Sequence, residues 1–269
     1  MLATESEFIA FLKRIRGDYQ AGNRIYQRHS LPEYTALEQI DDGESAKATF
    51  VTLALVPYHM RWEVGEMKKT TGRTGLWQVA LNLWRQHHWA FDIPGLIDGE
   101  RENRLRKLFS RLEIMDDYDA EWWWVTANTL YREFDSDPLE IITQSDGDAV
   151  EAAGLVRAHD FPGLADETTT PLWLRIIHEK FEALDRTAGL ALPLDPTLID
   201  VFNKLGGTQF DSIDRDDRRT VRYYWRIIAR KHGIQPISVD AALRVLGVYW
   251  GQGGRAYASD VIEELRNGE

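Results

Sequence analysis

Apolar positions recur with a helical period along almost the whole chain. In residues 5–19 (ESEFIAFLKRIRGDY), Phe8, Ile9, Phe11, Leu12 and Ile15 share one face, which predicts an amphipathic helix. Residues 20–44 break the pattern with Gly, Asp and Pro and read as an irregular connection. The spacing returns at 45–56 (SAKATFVTLALV) and ends at Pro57. Residues 58–75 read as a loop with a cationic tip at Lys68, Lys69 and Arg73. The next run, 76–86, is apolar at Leu76, Val79, Ala80, Leu83 and Trp84. Further helices are expected at 99–114, 119–134, 138–144, 148–158, 171–185, 196–205, 215–232, 239–250 and 258–266, with Pro171 at a first helical position after Thr170. No segment alternates with the two-residue period of a strand, and there is no internal repeat or Gly/Pro/Ser linker. The expected fold is all-α, with two helical lobes and a cleft between them. Residues 45–187 would form a central lobe, and 1–44 plus 188–269 a terminal one.

Composition narrows the functional classes. With 269 residues, 43% of them hydrophobic, the chain can bury a sizeable core. The absence of cysteine excludes disulfides, thiolate metal sites and a cysteine nucleophile. No run approaches the roughly 20 apolar residues of a membrane span. The start, MLATESEFIAFLKR, lacks a signal-peptide pattern. A cytoplasmic monomer without a membrane partner is expected. His87-His88 lacks the spacing of a helical zinc site, and no phosphate-loop or nucleophile-elbow motif occurs. GQGGRA (251–256) follows a helical run and reads as a helix end and loop, so neither metal nor cofactor is expected. The net charge of −11 opposes a generic nucleic-acid binder, but a local basic stripe on an acidic body can still hold a phosphate backbone.

Such a stripe occurs in DRDDRRTVRYYWRIIARKHG (214–233). Arg218, Arg222, Arg226 and Arg230 recur every four residues, flanked by Arg215 and Arg219. Val221, Tyr224, Trp225 and Ile228 are expected to face the core. Asp214, Asp216 and Asp217 lie where the helix dipole favours acids. The stripe reads either as an ordinary solvated face or as a phosphate-binding one. Its lack of interleaved acids favours the second.

Two other stretches carry candidate chemistry. In FPGLADETT (161–169) a Gly-containing turn joins two helices, a geometry that can aim backbone N–H groups at a phosphate. In LALPLDPTLIDVFNKLGG (190–207), Asp195 precedes Pro196 and an apolar helical run. Asp195 is then a helix N-cap, a catalytic carboxylate, or both.

Together these stretches resemble the helix-hairpin-helix superfamily of base-excision DNA glycosylases, over roughly residues 147–207. VDAALRVLGVYW (239–250) weakly resembles the Asp-containing helix late in some members. The resemblance implies a DNA partner, a backbone clamp at Phe161, Gly163 and Ala165, and Asp195 as the carboxylate that assists cleavage of the N-glycosidic bond. Ala165 stands where the family hairpin usually has a second Gly, and Asp200 where an Arg often follows the catalytic Asp. The interval from Glu167 to Asp195 implies an insertion. Glu167 occupies the place of the lysine nucleophile of bifunctional members, which implies base removal without strand cleavage. A flipped base needs a pocket, for which Trp62, Trp77, Trp84, His88 and Trp89 are candidates, with core packing as their alternative role. Of Trp122, Trp123 and Trp124, at least one should reach the surface or a cleft. Lys68, Lys69, Arg73, Arg218, Arg222 and Arg226 are candidate DNA contacts. One candidate substrate is a modified base of phage DNA, which would make the protein a defence factor. The alternative is a non-catalytic helical module that binds nucleic acid or protein.

Overall fold

The structure is a computed structural model that describes residues 2, 4–58, 72–112, 115–206, 208–211 and 214–268. In chain order the α-helices are α1 (Glu5–Gln20), α2 (Pro32–Leu37), α3 (Glu44–Leu55), α4 (Gly72–Gln86), α5 (Ile93–Ile97), α6 (Glu102–Phe109) and α7 (Asp117–Glu133). They continue with α8 (Leu139–Gln144), α9 (Ala149–Ala158), α10 (Thr169–Phe181), α11 (Pro196–Gly206), α12 (Arg215–His232), α13 (Ile237–Val248) and α14 (Gly254–Asn267). Among the described residues the β structure is one isolated bridge between Asp148 and Arg186. The protein is all-α, and no described helix is long and apolar enough to cross a membrane.

The helices separate into two compact units, Met1–Leu31 with Leu190–Glu269, and Pro32–Gly189. The expected boundary at residue 45 moves to Pro32. Residues 20–44, expected to be irregular, contain a short 3-10 helix (Arg24–Gln27) and α2. α2 packs on α3 and α4, so it belongs to the central unit. The helix expected at 99–114 is shorter, α6 running only from Glu102 to Phe109, and the short α5 precedes it.

In the terminal unit α13 is central, with α1, α11 and α14 packed on it. Gly247 permits the approach of α13 to α11: a Cβ there would stand 2.6 Å from Val201 Cγ2 and 2.7 Å from Thr197 Cγ2. α1 begins with a capping box, in which Thr4 Oγ1 accepts the Glu7 N–H at 3.1 Å and the Glu7 carboxylate accepts the Thr4 N–H at 3.2 Å. Phe8, Phe202 and Trp225 form a ring cluster, with centroids 5.6 to 6.1 Å apart, that joins α12 to α1 and α11.

The central unit is built around aromatic residues. Phe50 on α3 meets Trp77, Trp84 and Phe91 at centroid distances of 6.0, 5.7 and 5.8 Å. Trp123 on α7 is fully buried and donates its indole N–H to the Ala90 carbonyl at 2.9 Å. Trp173 on α10 donates to Thr52 Oγ1, also at 2.9 Å. Burying one such side chain contributes about 1.5–3 kcal/mol. An exposed ion pair such as Arg106 with Glu102 contributes about 0–1 kcal/mol, so each buried ring outweighs a surface pair of this kind.

Candidate functional site

α12 is opened by Asp214, whose carboxylate accepts the N–H groups of Asp216 at 2.8 Å and Asp217 at 2.9 Å. It is closed by Gly233 in the left-handed region at φ 64°. Val221, Trp225 and Ala229 are its buried side. Near its C-terminal end, Lys231 and His232 hydrogen-bond Glu5 of α1 at 2.8 and 2.6 Å. The Lys231 bond, followed by that of His232, holds the Glu5 carboxyl below its ordinary pKa.

The arginines divide between two environments. Arg218 and Arg222 are half-buried, whereas Arg226 and Arg230 are exposed. A four-residue step overshoots one helical turn by about 40°. Across three steps the row therefore drifts from the edge of the buried side to the outer face. The set that stays on the outer face is Arg219, Tyr223, Arg226 and Arg230, with spacings of four, three and four. Arg219 reaches Asp216 at 4.0 Å, and no acidic residue lies between Asp217 and Gly233.

Tyr223 and Tyr224 were missed by sequence reasoning. Tyr224 was expected in the core, but it is 57% exposed and Tyr223 is 61% exposed. Their ring centroids lie 6.0 Å apart. Ile227, 44% exposed, sits beside them. The available signal was the narrowness of the buried arc, already filled by Val221, Trp225 and Ala229.

α9, the Phe161–Leu164 turn and α10 follow one another as helix, turn and helix. Asp148 caps α9 and bonds Arg186 at 3.0 Å; that bond and the N–H groups of Glu151 and Val150 lower its pKa. Gly163 is required in the turn, because its φ is +76° and a Cβ would lie 2.2 Å from the Val56 carbonyl oxygen. The expectation that this turn clamps a phosphate meets three obstacles. Phe161 is a core residue, 1% exposed. The N–H groups of Leu164 and Ala165 both bond the Phe161 carbonyl, at 3.1 and 2.9 Å. The Asp166 carboxylate accepts Thr168 N–H at 2.6 Å and Thr169 N–H at 2.9 Å, so a negative group already occupies the start of α10. α10 starts two residues earlier than expected, which places Pro171 inside its first turn.

Asp195 stands immediately before α11 and accepts the Leu198 N–H at 3.1 Å, as an N-cap does. Its other oxygen accepts from Arg244 Nη1 of α13. Arg244 Nε reaches both oxygens of Asp240, at 3.0 and 2.8 Å, and its Nη2 reaches the Pro193 carbonyl at 2.6 Å. The side chains of Asp195, Asp240 and Arg244 are all fully buried. The two Asp-bearing segments singled out in the sequence, LPLDP and VDAALRVLG, are thus joined by one guanidinium. In this arrangement Asp195 touches protein on every side.

The candidate pocket aromatics are placed differently from one another. Trp77 and Trp84 are core residues, 2% and 7% exposed. His88 is exposed with its ring 4.4 Å from Trp84, and half-buried Trp89 carries Arg104 at 4.2 Å over its ring. Trp122 and Trp124 are half-buried beside Trp123. Trp62, Lys68 and Lys69 lie outside the described residues. The backbone of Arg73 is in the first turn of α4, where a loop was expected, and its side chain is outside the description. Among the described residues no three His, Asp or Glu side chains converge as a metal site.

No protein-family model matches the sequence. A search of curated proteins finds no significant match.

Proposed function

We propose that this protein binds nucleic acid, with the phosphate backbone lying along the outer face of α12. The observation that supports this reading is the exposed row Arg219, Arg226 and Arg230, free of interleaved acids on a chain of net charge −11. Like charges so concentrated repel one another and are stabilised by a polyanion. A structural role would favour mixed signs that pair along the face. The reading is tested by a salt titration of DNA affinity for the parent and for a variant carrying Arg219→Gln, Arg226→Gln and Arg230→Gln. Each lost phosphate contact should lower the slope of log K against log salt by about 0.7–0.9. A slope the three substitutions leave unchanged would remove α12 from the interface.

A second reading is DNA N-glycosylase activity of the monofunctional kind. It is favoured by the chain order of α9, the left-handed Gly163 turn, α10 and an Asp-opened α11. Under this reading Asp195 stabilises the cationic sugar and activates water. DNA binding must then draw Arg244 away from Asp195. The expected result is alkali-dependent strand breaks in DNA with a damaged or phage-type base, abolished by Asp195→Asn in a folded variant. Binding without such breaks would leave Asp195 as a helix cap.

A further inference from the structure

We propose that the ligand of α12 is single-stranded nucleic acid, with bases stacked on Tyr223 and Tyr224; this rests on the reading of α12 as a phosphate-binding face. The argument begins with what an exposed tyrosine pair is suited to contact. Other tyrosines of the protein are anchored. Tyr26 donates to the Ala242 carbonyl, Tyr257 to Asp18, and Tyr131 to Asp98. Burial first of all pushes the Tyr26 and Tyr257 hydroxyls well above the ordinary tyrosine pKa. Tyr118 is as exposed as Tyr223, but it stands between Asp117 and Asp119, where a polyanion would be repelled. Tyr223 and Tyr224 alone combine wide exposure with a cationic surround.

The arrangement distinguishes a strand from a duplex. A duplex presents phosphates and groove edges and hides the faces of its bases. Rings standing out from a helix gain little there. An unpaired strand offers base faces beside each phosphate, and an aromatic ring next to an arginine meets both. On α12, Tyr223 falls between Arg219 and Arg226 on one stripe, and Tyr224 with Ile227 widens the apolar part of the face. From Arg219 to Arg230 the stripe runs roughly 16 Å, long enough for a few nucleotides. The two rings are inclined at 65°, so they would take successive bases from different angles.

The test uses the full chain and three fluorescent DNAs of one length: a mixed-sequence strand, its duplex, and a strand of base-free sugar phosphates. The natural strand should bind more tightly than either of the others. Tyr223→Ser with Tyr224→Ser should weaken binding of the natural strand by about tenfold or more and bring it to the level of the base-free strand. Tyr223→Phe with Tyr224→Phe should keep the preference, because stacking needs the ring and not the hydroxyl. Arg226→Gln with Arg230→Gln should weaken all three DNAs. If the arginine pair matters but the serine variant behaves as the parent, or the duplex is preferred, stacking is overturned and the backbone reading stands. If the arginine pair changes nothing, both fall, and the exposed Tyr-Tyr-Ile surface belongs to a protein contact.

Discussion

Arg244→Met is expected to lower the unfolding free energy by about 3–5 kcal/mol, the cost of removing the buried cation that two carboxylates share. Arg244, Asp195 and Asp240 are each fully enclosed, and the guanidinium also bonds the Pro193 carbonyl. Methionine has a similar volume, so the loss would report charge and hydrogen bonding more than a cavity. Arg244→Lys should recover little, since an ammonium cannot span two carboxylates and a carbonyl in a plane. Adding Asp240→Asn to Arg244→Met should return part of the loss, because one of the two buried negative charges is removed with the cation. Urea denaturation of the four chains measures this. A loss below about 1 kcal/mol, the range of an exposed pair, would mean that water reaches the cluster. Asp195 would then be accessible to a ligand, and the glycosylase reading would gain.

The second large effect is expected in the central unit. Arg175 on α10 is fully buried, pairs with the carboxylate of Glu33 on α2, and donates to the Tyr34 hydroxyl at 2.6 Å. That hydroxyl in turn donates to Glu179 at 2.6 Å, and Lys180 lies 4.1 Å from the Tyr34 ring. Arg175→Met removes the buried cation paired with Glu33, 4% exposed, and should also cost about 3–5 kcal/mol. The loss should be concentrated in α2, a short helix joined to α10 by these side chains. Hydrogen exchange should show the amides near Tyr34 opening first, while those of α7 stay protected. Glu33→Gln added to Arg175→Met should restore protection in part. Uniform loss of protection across the unit would mean that α2 is part of its cooperative core.

How far the site was legible depended on the kind of interaction. The α12 helix could be read from Asp214, the apolar spacing and Gly233, since capping and periodicity are local. Which of its side chains face solvent could not. Tyr224 looks like a core residue by type, yet Trp225 and Val221 fill the buried arc. The arginine row keeps a sequence period of four, but the helix turns every 3.6 residues, so its members part company. Asp195 was legible as an N-cap, again a local feature. Its tie to Arg244 spans 49 positions, and no local signal announces it.

The sequence by itself determined that this protein is helical and where most helices begin and end, because apolar period, caps and prolines act within a few residues of where they occur. It also placed a basic segment on an otherwise acidic chain. Only the tertiary structure decided that α2 belongs to the central unit and that Trp77, Trp84 and Phe161 are core. It alone buried Asp195 against Arg244 and exposed Tyr223 and Tyr224. These outcomes depend on which faces meet across long stretches of chain. Desolvation and ion pairing are properties of the assembled surroundings, not of the residue that experiences them.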